Sequence, residues 1–345
     1  MFVQAWEVLR PNPIILQWLK GYKLNFINKF HFIKVPISRQ SNFSDRSALI
    51  RSINDLQKIG AIIPCQPIKE QFLSPFFLVD KPNGQKRFVL NLKVLKKFIK
   101  KDHFKMEDWR TATKLLQKNW FMTTVDLKDA YFLVPIHKAS RRFLRFNFNG
   151  TLFEFTCMPF GLSSAPYVFT KIIKPVISFL HQQNICVMAY LDDFLIMAES
   201  KQVCRESTAV VVNLLCNLGF IINFPKSSLL PQNRCKYLGF IFDSTNLTIE
   251  LPEDKKLKLI RVIKKLINLK SCRISVFAHV IGLLVSILPT IKYGMLYIKK
   301  LEREKLKALK KVNQHYNKIM KVNHLFILDD LNWWLKKDTT SVSKN

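Results

Sequence analysis

The 345-residue sequence predicts an α+β fold with an appended helical lobe. Three observations lead there. Strand-like and helix-like segments alternate unevenly as far as Leu251, the chain beyond Pro252 turns wholly helical and strongly basic through Lys311, and the apolar run Val187 to Met197 is interrupted only by Asp192-Asp193, as in a hairpin.

Taken in order, residues 1–43 mix aromatics with Pro11, Pro13 and Pro36 and predict an irregular lead-in. Ser44 is placed to cap a helix over 45–59, stopped by Gly60. Two β-rich runs, 76–79 and 87–91, flank Pro82-Asn83-Gly84, which supplies the positive φ of a hairpin. A helix is expected over 106–118, a strand over 121–126, a helix over 165–181 and another over 201–218 ended by Gly219. Residues 236–242 read as one short strand. The segment 274–291 has the length of a short membrane span, but His279, Pro289 and its small residues suit a packed core helix better.

Composition narrows the class. Hydrophobic residues make up 48%, with 28 Phe and only 9 Gly, which excludes a disordered or fibrous chain. Against 24 acidic residues stand 55 basic ones, a formal charge of +31 that makes nucleic acid the leading partner class, because each phosphate met by Lys or Arg releases counterions. An AT-rich coding bias explains the preference for lysine but not the shortage of acid. Seven scattered cysteines lack CxxC or zinc spacing and read as reduced, buried thiols of an intracellular protein, nucleus or cytoplasm undecided. No secretory signal opens the sequence.

In so acid-poor a chain, two carboxylates inside a buried strand pair cost several kcal/mol unless a cation or hydrogen bonds compensate. A second source of carboxylate lies in Phe121 to Tyr131, a strand leaving into a turn with Asp126 at its exit. Asp126 beside the tip pair Asp192 and Asp193 can bind two divalent cations roughly 4 Å apart, an arrangement used for in-line phosphoryl displacement. Hard cations such as Mg2+ prefer these oxygen ligands.

Tyr190-Leu191-Asp192-Asp193 resembles the YxDD motif of reverse transcriptases, and Val125 to Tyr131 resembles their first catalytic block. The intervening Met158-Pro159-Phe160-Gly161 to Pro166 resembles the block that holds the templating base pair. Further blocks, Ser74 to Leu92, Leu218 to Lys226 and Tyr237 to Phe240, follow in the family's order. A lone YxDD is a weak signal; the ordered set is specific. Phe104 to Glu107, Leu288 to Lys305 and the lead-in residues Ala5-Trp6-Glu7 and Gly21-Tyr22 are most similar to retrotransposons of the DIRS type, with Ty3-like and pararetroviral enzymes as near neighbours.

The resemblance implies a right-hand polymerase with fingers, a palm of antiparallel sheet packed on helices, and a helical thumb and connection. Residues 1–43 become the lead-in, 44–245 interleaved fingers and palm, and 246–345 thumb and connection. It implies an RNA-directed DNA polymerase that extends a primer 3′-hydroxyl with dNTPs on an RNA or DNA template. Asp126, the carbonyl of Leu127, Asp192 and, as a supporting carboxylate, Asp193 bind two Mg2+ ions, for which Mn2+ can substitute. Lys81, Arg87, Asp129, Ala130, Tyr131, Phe160 and Gly161 match positions around the incoming nucleotide, Tyr131 under the deoxyribose. Lys226 matches a lysine proposed as general acid, and Tyr237, Leu238, Gly239 and Phe240 match the primer grip.

Plainer readings stand beside several of these. Asp129 can be a cap, Phe160 core, Gly161 a turn glycine, Lys226 a surface lysine and Tyr237 to Phe240 an edge hairpin. His137 and Cys157 read as structural. The basic helices, with Lys255, Lys256, Lys258, Arg261, Lys264, Lys265 and the cluster from Lys299 to Lys311, match the thumb that follows the duplex backbone without reading sequence.

Departures from the family pattern fall at Asp80-Lys81, at Asn91-Leu92-Lys93 and at Lys96. Leu331-Asn332-Trp333-Trp334 resembles the entry to a ribonuclease H domain, which the sequence as given does not continue into; a polymerase portion alone is expected, with ribonuclease H or a recombinase as separate partners. The competing expectation is a catalytically silent nucleic-acid-binding remnant. No membrane partner is expected.

Overall fold

The computed structural model describes residues 2–27, 46–80, 84, 86–322, 325–336 and 342–343. These fall into two compact units: Met1–Glu107 with Val125–Phe194 and Glu206–Ser228, and Asp108–Thr124 with Leu195–Arg205 and Leu229–Asn345. Both helix and antiparallel sheet are present, as the α+β expectation requires.

The first unit departs from expectation at its start. The described part of the lead-in, residues 2–27, is not irregular throughout, because Phe2–Val8 and Pro13–Gly21 are helices; Pro36 lies outside the described residues. Asn12 caps the second, its side-chain oxygen accepting from the Ile14 N–H at 3.0 Å, and Pro13 occupies a first-turn position whose N–H needs no partner. Pro13 starts a helix here. Trp6 is buried, donates from Nε1 to the Leu218 carbonyl at 3.0 Å and meets Phe220 edge to face.

The helix Arg46–Lys58 follows, ended by Gly60 at φ +71°; the expected cap Ser44 and first residue Asp45 lie outside the described residues. Phe76–Asp80 and Lys86–Leu90 pair antiparallel with Val79 opposite Arg87. Ile62–Pro64, Thr151–Phe155 and Arg145–Phe148 form a three-stranded antiparallel sheet with Thr151–Phe155 in the middle. Phe88, Phe146, Phe153 and Phe155 pack there in one aromatic cluster. Directly opposed on neighbouring strands, Arg145 and Glu154 form a buried ion pair at 2.6 Å, and Arg145 also donates to the Gln66 carbonyl and to Gln71. With these donors satisfied, the charge tolerates burial.

Helix Ala165–Gln182 presents Val168, Phe169, Ile172, Ile173, Val176 and Leu180 at helical spacing to the core. Each such side chain contributes ~1.5–3 kcal/mol on burial. The chain then returns as Cys186–Tyr190, turns through Leu191-Asp192, and continues as Asp193–Ala198, whose Phe194 to Ala198 are all buried. These strands belong to a four-stranded sheet ordered Cys186–Tyr190, Asp193–Ala198, Phe121–Asp126, Ser228–Gln232. Residues 194–198 are therefore a stretch covered on both faces, which leaves the half-buried acids at the hairpin end.

In the second unit, the helix expected over 106–118 is shorter, Trp109–Leu115, because Asp108 caps it by accepting from the Arg110 N–H at 2.8 Å. The single strand expected over 236–242 is two, Arg234–Tyr237 and Phe240–Asp243, joined by Leu238 and Gly239, both at positive φ. Such a two-residue turn matches strand twist when both central residues are left-handed. Helices Glu253–Ile267, Ile274–Ser286, Gly294–Lys311 and Leu325–Lys336 dominate beyond Pro252. The region is not wholly helical, since Ser271–Arg273 pairs with Ile319–Lys321. The segment 274–291 is a 13-residue core helix plus a short turn, and no helix among the described residues is long and apolar enough to cross a membrane. Cys157, Cys204 and Cys235 are buried as expected, but Cys216 is exposed and the other three are intermediate; no disulfide joins any of the seven.

Candidate active site

Asp126, Asp192 and Asp193 all lie in the first unit, and backbone pairing brings them together. Asp126 ends its strand, and the next residue, Leu127, donates its N–H to the Asp192 carbonyl at 2.9 Å. Asp192 sits in a turn whose first central residue, Leu191, has φ +54°. Leucine rarely adopts that conformation, and holding it costs ~1–3 kcal/mol. Burial on both sides of the turn anchors the hairpin despite that cost, which fixes the acids by backbone rather than by side-chain freedom.

Their electrostatics follow from this crowding. Burial, and then the charge of Asp126, hold the Asp192 carboxyl above the usual carboxylate range, opposed by its own backbone hydrogen bond, Arg87 and Lys226. Burial and the charges of Asp192 and Asp126 push the Asp193 carboxyl up strongly, and a hydrogen bond with Asp126 acts in the same direction. The three acids thus share one underneutralised pocket. Among the described residues, no group of three or more His, Cys, Asp or Glu side chains is closed into a metal cage.

A third segment completes the floor. Lys128 donates to the Ile221 carbonyl at 2.8 Å and Asn223 donates its N–H to the Asp126 carbonyl at 2.8 Å, so residues 221–223 run antiparallel beside 126–128. The Asn223 side chain donates from Nδ2 to Asp126 Oδ1 at 2.5 Å, and the Asp126 N–H donates to Ser227 Oγ at 3.0 Å. Sequence reasoning missed Asn223 and Ser227. The only signal was a polar residue inside the apolar stretch Phe220 to Phe224, three positions before Lys226. Lys226 lies within electrostatic range of both Asp192 and Asp193.

Beside the acids, the Arg87 guanidinium lies over the Phe160 ring at 4.5 Å, and the Phe160 ring meets Tyr131 and Phe132, each at 5.5 Å between centroids. Arg87 Nε is buried with no hydrogen-bond partner among the described residues. Tyr131 also packs against Phe169, and burial followed by the charge of Asp192 pushes its hydroxyl up to about 12, so it is a neutral phenol. Asp129 takes φ +49° before the short turn Ala130–Leu133 and makes no side-chain cap bond, while Ala130 is buried. Gly161 has φ +102°, and a Cβ there would lie 2.7 Å from the Leu90 carbonyl oxygen. Its glycine is required by the Lys86–Leu90 strand. Lys81 lies outside the described residues.

Tyr237, Leu238, Gly239 and Phe240 belong to the second unit. There Lys255 Nζ donates to the Gly239 carbonyl at 2.8 Å and lies 5.7 Å from the centre of the Phe240 ring, and Tyr237 is buried.

An enzymatic polyprotein of Figwort mosaic virus (strain DxS) is 26% identical over 246 residues, covering 69% of this chain and 35% of the polyprotein. The transposon Tf2-3 polyprotein of Schizosaccharomyces pombe is 28% identical over 201 residues, 58% of this chain and 15% of the polyprotein. The chain therefore spans about a third or less of the curated relatives it matches. Its fold is similar to that of the foamy viral protease-reverse transcriptase in complex with dsDNA, with TM-score 0.69 and 19% identity over 93% of this chain and 63% of that one. The same viral protein in complex with RNA/DNA hybrid gives TM-score 0.67 at 18% identity, over 98% of this chain and 46% of that one. The fold class is that of a right-hand polymerase, and residues 79–242, which match the reverse transcriptase (RNA-dependent DNA polymerase) family, carry a domain of that family.

Proposed function

We propose that the chain is the polymerase portion of a retrotransposon's RNA-directed DNA polymerase, adding dNTPs to a primer on an RNA or DNA template. The observation that carries this reading is the convergence of Asp126, Asp192 and Asp193 through main-chain hydrogen bonds, beside Arg87 and Lys226. Residues 44–245 are assigned to fingers and palm and 246–345 to thumb and connection. The DIRS-type subgroup is proposed on the blocks at 104–107 and 288–305.

The carboxylates fit divalent cations, because hard oxygen donors are crowded where little positive charge offsets them. Asp126, Asp192, Asp193 and the carbonyl of Leu127 are the ligands for two Mg2+ or Mn2+ ions, which supply Lewis acidity at the primer hydroxyl and the triphosphate when bound. In the reaction, the primer O3′ forms a bond to the α-phosphorus and the bond to the β-phosphate oxygen breaks, releasing pyrophosphate. Arg87, with an unpaired buried Nε, contacts the triphosphate and offsets its developing charge. Lys81, outside the described residues, is assigned the same task from the resemblance. Tyr131, held neutral and wedged between Phe160 and Phe169, presents a rigid ring to the sugar and excludes a 2′-hydroxyl. Asp129, Ala130 and Gly161 shape the nucleotide pocket, and Phe160 lines it while seating Arg87. Lys226 is assigned, from the resemblance, the role of giving a proton to pyrophosphate. Tyr237 to Phe240 act as the primer grip, and the basic helices hold the duplex by its phosphates.

The test is extension of a DNA primer on poly-rA with Mg2+. The parent protein extends the primer; Asp192→Asn abolishes extension while duplex binding survives. Duplex binding without extension by the parent, across salt and metal concentrations, establishes the silent remnant instead.

A further inference from the structure

Asp126 is held by neighbouring residues at both its main chain and its carboxylate. Its N–H donates to Ser227 Oγ at 3.0 Å, its carbonyl accepts from the Asn223 N–H at 2.8 Å, and its Oδ1 accepts from Asn223 Nδ2 at 2.5 Å. Ser227 is itself oriented from the same turn, since its Oγ donates to the Asn223 carbonyl at 3.0 Å and its N–H donates to that carbonyl at 3.0 Å. Asn223 and Ser227 therefore form one small unit around the tight turn Phe224–Lys226, closed onto Asp126 at three points. That turn also carries Lys226 toward Asp192 and Asp193.

The chemistry of the contacts distinguishes this from ordinary loop packing. An amide donor on Oδ1 satisfies one carboxylate oxygen, fixes the rotation of the group and leaves Oδ2 as the oxygen without that bond. A neutral donor does this without ion pairing, so the acid keeps its charge for a cation. A lysine or arginine in place of Asn223 would neutralise the ligand and compete with the metal. Partners that orient ligating carboxylates in this way typically affect metal affinity or activity by 10–100-fold when removed.

We infer that Asn223, supported by Ser227, is a positioning residue that presents Asp126 Oδ2 to a divalent cation and sets the site's metal requirement. The inference rests on the polymerase reading above. Its experiment compares Asn223→Leu, which removes the donor at similar size, and Asn223→Asp, which keeps the shape but replaces the donor with an acceptor. Asp126→Asn serves as reference. Two quantities are read on the full chain bound to primer-template: the Mg2+ concentration giving half-maximal extension, and Mn2+ affinity measured directly by electron paramagnetic resonance.

Both Asn223 variants are expected to raise the half-maximal Mg2+ concentration about 10–100-fold and to weaken Mn2+ binding in parallel, with the primer-template Kd unchanged. Saturating metal should restore much of the extension rate in Asn223→Leu. Should Asn223→Leu melt before assay, Asn223→Asp carries the test alone. Unchanged metal dependence and Mn2+ affinity in a folded variant overturn the positioning role. If Asp126→Asn also extends primers normally, the polymerase assignment itself fails, whereas if only Asn223 proves neutral, that assignment stands and this inference does not.

Discussion

Gly161→Ala is the substitution whose cost follows most directly from geometry. At φ +102° an L-residue is strained, and the new Cβ would sit 2.7 Å from the Leu90 carbonyl oxygen, a main-chain atom at the end of a paired strand that cannot rotate away. The backbone strain costs ~1–3 kcal/mol. Displacing the strand or the turn costs roughly 1–3 kcal/mol more. A loss of about 2–6 kcal/mol is a large fraction of the ~5–15 kcal/mol that holds a domain together. Near 2–4 °C per kcal/mol for a unit of this size, melting of the first unit should fall by roughly 4–24 °C.

The functional consequence follows from what Leu90 carries. Its strand, Lys86–Leu90, holds Arg87, and residue 160, next to Gly161, holds the ring beneath that guanidinium. Moving either element separates the pair, so KM for dNTP should rise roughly tenfold or more. Gly150→Ala is the control: φ is +83° but nothing lies within 4 Å of the added carbon, so strain appears without a change in KM. Differential scanning calorimetry and steady-state extension read both quantities. If Gly161→Ala melts with the parent and keeps its dNTP KM, the proposed coupling between the 161 turn and the Arg87 strand is wrong.

Trp6→Ala should destabilise the first unit by ~3–5 kcal/mol in urea, because it removes a fully buried ring and the donor to the Leu218 carbonyl; a loss below ~1 kcal/mol would mean that the N-terminal helix is merely laid on the surface. Tyr131→Val should raise the ratio of ribonucleotide to deoxyribonucleotide incorporation in single-turnover extension, and an unchanged ratio would remove Tyr131 from sugar selection. Asp330 is buried with one oxygen unpartnered among the described residues, and burial, offset by Lys300, holds its carboxyl above the usual range. A folded pKa above the unfolded one means that the folded state binds more protons in between, so this group's contribution to stability declines as pH rises through that window. Asp330→Asn should therefore gain stability relative to the parent as pH rises above the ordinary carboxylate range in denaturant titrations, and a constant difference would contradict it.

The strand ending at Asp126 and the hairpin carrying Asp192 and Asp193 were legible because their signal is local. An apolar strand interrupted by two acids has few ways to satisfy them, and a two-residue link between strands fixes where they go. Arg87, Tyr131 and Phe160 were reached through family resemblance, and their convergence could not have been read from spacings of 29 and 44 residues. Asn223 was illegible for a different reason: its role depends on a register between 221–223 and 126–128, and pairing across a hundred residues leaves no periodicity in sequence. Proline misled at the amino terminus, where Pro13 opens a helix instead of breaking one. The strand predicted over 236–242 concealed a turn because Leu238 adopts a left-handed conformation that leucine seldom takes. The brief strand pairing of Ser271–Arg273 with Ile319–Lys321 was hidden for the same reason as Asn223: its partners lie far apart in sequence.

The central claim is that Asp126 and the pair at 192 and 193 bind metal as one site. Fe2+ exchanged for Mg2+ in the primer-template complex, with ascorbate and peroxide, cleaves the backbone close to the bound ion, and mass spectrometry locates the cuts. Cuts clustered at 126–128 and 190–193, all lost together in Asp192→Asn, are the predicted result. Cuts at only one of these segments, or at neither while the complex remains intact, would contradict it.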